Sequence, residues 1–98
     1  MNDLARQVLV KAALDGVKQA KGVFRDNDGG LCAWGALFEG MSCSWLEMNG
    51  HWTASLPCDP MLHYDISQEE SRDIVDANDK KGWDFLTIAR KIGNKDGE

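Results

Sequence analysis

The sequence predicts a mainly α fold of about four helices around one core, with a possible short β-hairpin near residues 45–55. Three observations predict it. Residues 3–20 repeat apolar side chains at helical spacing, and residues 31–40 are apolar almost throughout. Ser67 and Asp84 each stand where a helix start is expected, ahead of a short amphipathic run. An Asn49-Gly50 pair between residues of strand character supplies the hairpin turn.

The first helix is expected over Asp3–Ala20, with Leu4, Ala5, Val8, Leu9, Ala12, Ala13 and Val17 on one face. Asn2 or Asp3 caps its start and Gly22 follows its end; Arg6, Lys11, Asp15 and Lys18 lie on the solvated side. Arg25–Gly30, "RDNDGG", is a turn that either closes a hairpin or leads into the next helix. "LCAWGALFEG", Leu31–Gly40, reads as a buried central helix because alanine and leucine favour helix over strand. Residues 41–66 hold Pro57 and Pro60, which exclude a long regular element there.

Regularity returns at Ser67, which with Glu70 forms a capping box for a helix over residues 68–78, with Ile74 and Val75 inward. Gly82 interrupts it. Asp84 caps a last helix, Phe85–Ile92, with Phe85, Leu86, Ile88, Ala89 and Ile92 as its apolar face and Trp83 stapled against Ile88. Arg90 and Lys91 sit in its last turn, where the helix dipole favours cations. Residues 93–98 are a polar tail expected to fray. With no repeat or linker, residues 1–98 are expected to form a single domain.

Charge narrows the function classes. Eleven basic against sixteen acidic residues give a net charge of −5, so a polyanion is repelled and direct nucleic-acid binding is not expected. "NDKKGWDFLTIARKIGNK", Asn78–Lys95, resembles the first half of a helix-turn-helix, but a recognition helix does not follow Gly93. A helical hairpin closing the core is the better reading. No apolar run approaches the ~20 residues of a membrane span, and the N-terminal stretch carries no signal-peptide pattern. Three cysteines at irregular spacing do not form a disulfide framework, so a cytoplasmic location is expected.

The candidate chemistry is sparse. Cys32, Cys43, His51, Cys58 and His63 are the soft metal ligands, and only Cys58 and His63 approach the spacing of a zinc knuckle. Buried or loop cysteines are the plainer reading, so no metal and no cofactor are expected. A cysteine hydrolase or transferase would need Cys43 or Cys58, His51 or His63, and Asp59 or Asp65 to converge, and no local signature requires that. Asp26-Asn27-Asp28-Gly29 fails the calcium-loop pattern, since Leu31 and Leu37 occupy the sixth and twelfth positions counted from Asp26. No phosphate-loop, dinucleotide or metalloprotease motif is present.

Of the four tryptophans, Trp34 and Trp83 read as core, while Trp45 and Trp52 flank the Asn49-Gly50 turn among polar residues. Exposed tryptophans beside Met41, Met48 and Met61 on an acidic domain are anchors of the kind protein interfaces use; folding back onto the first helix is the alternative. The expected partner-binding residues are Trp45, Met48, Trp52, Glu47, Asp59 and Asp65, facing a basic protein surface.

"GLCAWGAL" (Gly30–Leu37) followed by "IVDANDKKGWDFLTIARKI" (Ile74–Ile92) resembles a loose group of short bacterial and phage proteins of unknown function. These pair a small-residue "W-C-A-x-G-A-L"-like helix with a C-terminal "N-D-x-x-G-x-x-x-x-x-I" hairpin. The matching positions are Cys32, Ala33, Gly35, Ala36 and Leu37, then Asn78, Asp79, Gly82 and Ile88; residues 41–66 depart from the pattern. The resemblance implies a helical fold and a mobile-element origin, and no chemistry. The expectation is therefore a non-enzymatic, monomeric or small homo-oligomeric binding protein, of the phage accessory type that inhibits a host nucleic-acid-processing complex. The alternatives are the cysteine enzyme and a zinc-stabilised module.

Overall fold

The computed structural model describes residues 1–92, so the expected frayed tail lies outside the described residues. Its elements in order are α1 (Asp3–Leu14), α2 (Ala33–Gly40), β1 (Ser44–Met48), β2 (His51–Ser55), α3 (Pro60–His63), α4 (Gln68–Asp76) and α5 (Phe85–Lys91). A π-helical turn, Ala77–Lys81, continues α4. The fold is mainly helical with one small antiparallel sheet. The added element is α3, a single turn begun by Pro60 at its first position and capped by the Asp59 carboxylate on the Met61 amide.

α1 stops at Leu14 instead of running to residue 20. Gly16, at φ +73°, takes the left-handed position, so the Gly16 amide donates to the Ala13 carbonyl and the Val17 amide to the Ala12 carbonyl. That pair of bonds is a Schellman cap, and it satisfies the carbonyls a longer helix would have used. Beyond it the chain is extended: the Leu31 amide donates to the Lys18 carbonyl and the Ala20 amide to the Leu31 carbonyl. The RDNDGG turn does both: it closes an antiparallel bridge between Arg25 and Leu31, with the Asp26 amide donating to the Gly30 carbonyl, and then leads into α2, while Asp26 Oδ1 accepts from the Asp28 and Gly30 amides.

α2 is the buried centre: Ala33 through Phe38 are all buried. α1 packs against α2 and α5, and α2 against α4. Leu9, Leu37, Ile74, Phe85 and Ile88 are the largest apolar side chains closed off within this cluster. Each contributes about 1.5–3 kcal/mol of burial. Gly35 is required by close approach, because a Cβ there would stand 2.1 Å from the Phe24 carbonyl oxygen. Val75, Leu86 and Leu4, expected inward, are exposed: Ile74, Ile88 and Ala5 fill the facing positions, and helical geometry turns their neighbours outward.

One buried polar side chain joins these elements. Asn78, in the π-helical turn, accepts on Oδ1 from the Ala33 amide at 3.0 Å and from Gln19 Nε2 at 2.8 Å. Its Nδ2 donates to the Ala20 carbonyl at 2.9 Å and to Asp79 Oδ1 at 2.8 Å. All four bonding positions of the amide are filled. Gln19 Nε2 also reaches the Trp83 carbonyl, and Asp79 Oδ1 accepts from the Gly22 amide.

Local capping follows the sequence. Ser67 and Glu70 form the reciprocal capping box, and Asp84 accepts from the Thr87 amide. Burial opposes ionisation of Glu70, but hydrogen bonds from the Met1 amino group and from Ser67 outweigh it and hold the carboxyl below its usual range. Hydrogen bonds from Thr87 lower Asp84 likewise. Trp83 is half-buried, between the ammonium groups of Lys81 and Lys91.

Two outcomes are expected. Asn78→Ala leaves several buried polar groups unpaired and costs about 2–4 kcal/mol in urea unfolding, whereas an unchanged midpoint would show the amide to be dispensable. Because Glu70 and Asp84 titrate lower folded than unfolded, their stabilisation is complete above the ordinary carboxylate range of about 4 and is lost as pH falls through it. The urea midpoint is therefore higher at about pH 6 than at about pH 3, and Glu70→Gln with Asp84→Asn narrows the difference.

Candidate binding surface

The Asn49-Gly50 pair closes the hairpin as the sequence indicates, with φ +54° and +82°. Both residues in the left-handed region give the two-residue turn whose twist suits antiparallel strands. The register pairs Trp45 with Ala54, Glu47 with Trp52 and Met48 with His51. Since side chains alternate along a strand, Trp45, Glu47, Trp52 and Ala54 share one face. Ser44, Leu46, Met48, His51, Thr53 and Ser55 share the other, and all six are exposed.

Arg25 holds the tryptophan face to the body. Its guanidinium carbon lies 4.5 Å from the Trp52 ring centroid and 5.6 Å from that of Trp45. The indole N–H of Trp45 donates to Glu39 at 2.6 Å, and that of Trp52 to Asn27 Oδ1 at 3.1 Å. Trp45 also packs near Phe38, which in turn meets Phe24 and Trp34. The tryptophans fold back onto α2 and the 24–27 turn, not onto α1. Both remain partly exposed.

Between the hairpin tip and α4 lies a cleft of about 370 Å³. Cys32, Ala33, Trp34, Ile74 and Asn78 line it together with Val23, Phe24, Val75 and Asp79, and His51 and Trp52 stand where the hairpin meets it. Val23, Phe24 and Val75 are exposed apolar side chains. The volume is at the lower end of the range typical of ligand pockets, about 300–1,000 Å³. Burial pushes the Cys32 thiol up, and its sulfur accepts from the Gly35 amide, so it is a helix cap and not an activated nucleophile. Burial and then the Glu39 carboxylate raise the Cys43 thiol in the same way.

The expected site residues divide. Trp52 lines the cleft, while Trp45, Glu47, Met48, Asp59 and Asp65 do not. Met48, 66% exposed, lies on the outward hairpin face with Leu46 at 54%, and Glu47 is exposed on the inward one. Asp59 caps α3, and Asp65 occupies a left-handed turn at φ +51°; both are exposed. Arg25, Phe24 and Leu46 belong to this surface without being among the expected site residues. The two-residue period about Asn49-Gly50 places Leu46 beside Met48 and opposite the tryptophans, whereas the Arg25 contacts are long-range and leave no local signal.

Cys58 Sγ lies 4.0 Å from His63 Nδ1, and both residues are exposed. Cys43 and His51 are not part of this pair. Among the described residues no group of three or more His, Cys, Asp and Glu is arranged to hold a metal ion, and the cysteines are free thiols. No described helix is long and apolar enough to cross a membrane.

Comparison with protein-family models, with curated proteins and with solved structures gives no match.

Arg25→Ala is expected to cost about 1–2 kcal/mol and to release the hairpin selectively. Amide exchange should accelerate across residues 44–55 while α1 and α5 keep their protection. Uniform loss of protection would contradict the clamp.

Proposed function

We propose that this protein is a small acidic, non-enzymatic binding protein that contacts a partner through its hairpin and the adjoining cleft. The observation that carries the reading is the exposed apolar surface there. Leu46 and Met48 lie on one side of the hairpin, and Val23, Phe24 and Val75 on the cleft side, on a domain of net charge −5. Leu46 and Met48, two residues apart on one strand, stand side by side on that face, and methionine adapts well to a partner's contour. Among the described residues, Glu47, Asp65, Glu69 and Asp73 are acidic groups without an ion pair, which suits a basic partner surface. The partner class is a basic, nucleic-acid-handling host protein, and the role is inhibition by occupying its nucleic-acid face, as a phage or mobile-element accessory protein does.

The cysteine-enzyme reading has one observation in its favour, the approach of Cys58 to His63. Asp59 is engaged as the α3 cap, and neither Cys58 nor His63 lines the cleft. Both groups are exposed, and the Asp59 carboxylate accepts from the Met61 amide instead of orienting the imidazole, which favours the binding reading.

Affinity capture from a bacterial lysate at moderate salt separates the readings. Wild-type protein should retain a basic nucleic-acid-handling protein, and the folded double variant Leu46→Asp with Met48→Asp should lose it at least tenfold, or about 1.4 kcal/mol. Equal capture by both would overturn the assignment of the hairpin surface. Rapid alkylation of Cys58 alone at neutral pH would favour the enzyme reading.

A further inference from the structure

We infer that the cleft between the hairpin tip and α4 binds a free aromatic amino acid as its zwitterion. Arg25 takes the carboxylate, Asp79 takes the ammonium, and the ring lies against Phe24 and Trp34. The inference concerns a small molecule and stands apart from the protein partner proposed above.

Two opposite charges line this cleft without pairing with each other. Arg25 is half-buried, its guanidinium laid against the Trp52 ring at 4.5 Å and that of Trp45 at 5.6 Å. The rings orient the fork but supply no oxygen acceptor, and among the described residues nothing else does. A guanidinium held in this way meets a carboxylate through two parallel N–H groups.

Asp79 is the counterpart. Its Oδ1 accepts from the Gly22 amide at 3.0 Å and from Asn78 Nδ2 at 2.8 Å, so the carboxylate is fixed in place. Neither donor is a cation, and Oδ2 has no partner among the described residues. Gly22 and Arg25 are three residues apart in sequence, a span of at most about 10–11 Å of chain. Both charges therefore belong to the same segment of the cleft wall.

The rest of the lining is apolar. Buried Trp34 and Ile74 face the cleft from the core, and exposed Val23, Phe24 and Val75 surround them. An aromatic ring packs edge-to-face or offset against such walls. At about 370 Å³ the cleft is at the small end of ligand pockets, which suits one ring and its charged end.

Charge selects the zwitterion. A bare carboxylate meets the field of a chain at −5 and the Asp79 carboxylate, and a bare amine meets Arg25. A ligand of zero net charge carrying both groups satisfies each wall. The wider hollow of about 660 Å³ beside α1 lacks this feature. There Lys11 pairs with Asp15 at 2.7 Å and Lys18 with Asp28 at 3.4 Å, and Glu39 accepts from the Trp45 indole.

The test is calorimetric titration of the full chain with L-phenylalanine, L-tyrosine and L-tryptophan, with amide chemical shifts followed in parallel. The expected result is saturable one-to-one binding of at least one of them, with shifts centred on Phe24, Trp34, Trp52, Val75 and Asp79. Phenylpropanoate and phenylethylamine, which each lack one charge, and glycine, which lacks the ring, should bind at least tenfold more weakly. Asp79→Asn keeps an oxygen for the Gly22 amide, Arg25→Lys keeps a cation on the rings, and Val75→Trp fills the cleft from an exposed position. Each should lower affinity at least tenfold while circular dichroism stays unchanged, and Leu62→Ser, away from the cleft, should bind as wild type. Where a variant does not fold, the analogue series and the shift map still decide. No saturable binding of any of the three amino acids, equal binding of an analogue lacking a charge or the ring, shifts centred elsewhere, or full affinity in Val75→Trp would each overturn the proposal.

Discussion

The Asn78 side-chain amide is the constraint on which the rest of the structure depends. The chain from Val17 to Cys32 forms no helix or named strand, only two isolated bridges and turn bonds within itself, yet it delivers Arg25 to the hairpin. Asn78 takes the Ala20 carbonyl, the Gln19 side chain and the Ala33 amide together, so one residue fixes that segment, the start of α2 and the end of α4. Each such bond contributes only about 1 kcal/mol net. The larger quantity is the desolvation penalty that an unfilled buried amide would incur, and it ties the three elements into one arrangement. The π-helical turn is part of the device, because Asn78 lies within it and the wider turn replaces the α-helical register there.

That arrangement decides which side chains meet solvent. With the 22–25 segment fixed against Gly35, Arg25 stands under the hairpin and draws both tryptophans inward. The indole N–H groups are satisfied within the chain, by Glu39 and Asn27, and the contact surface passes to Leu46, Met48 and the apolar rim of the cleft. The hairpin is joined to the body by a cation and ring contacts more than by main-chain bonds. It is thus the part most able to adjust to a partner while the helices stay fixed.

What was legible in the sequence is what local chemistry dictates. Asn49-Gly50 specifies its turn, Ser67 with Glu70 and Asp84 specify helix starts, and an all-apolar run specifies α2. The end of α1 is ambiguous in the sequence, because Val17 and Ala20 continue the helical pattern past Gly16 as far as Gly22; the Schellman bonds at Gly16 end it early. Val75 and Leu86 are apolar yet exposed, because Ile74 and Ile88 already fill the core-facing positions of their helices. The Asn78 cluster was illegible for another reason. Asn78 reaches Gln19, Ala20 and Ala33 across 59, 58 and 45 residues, and an asparagine before an aspartate in a lysine-rich stretch looks like an ordinary turn.

Native-state hydrogen exchange at single residues tests the central claim most directly. If Asn78 locks the segment to the core, the amides of Ala33 and Ala20 exchange only through global unfolding, with the same free energy as the most protected amides of α1 and α5. Exchange of Ala33 and Ala20 at the rate of an open loop, with α1 and α5 still protected, would contradict it.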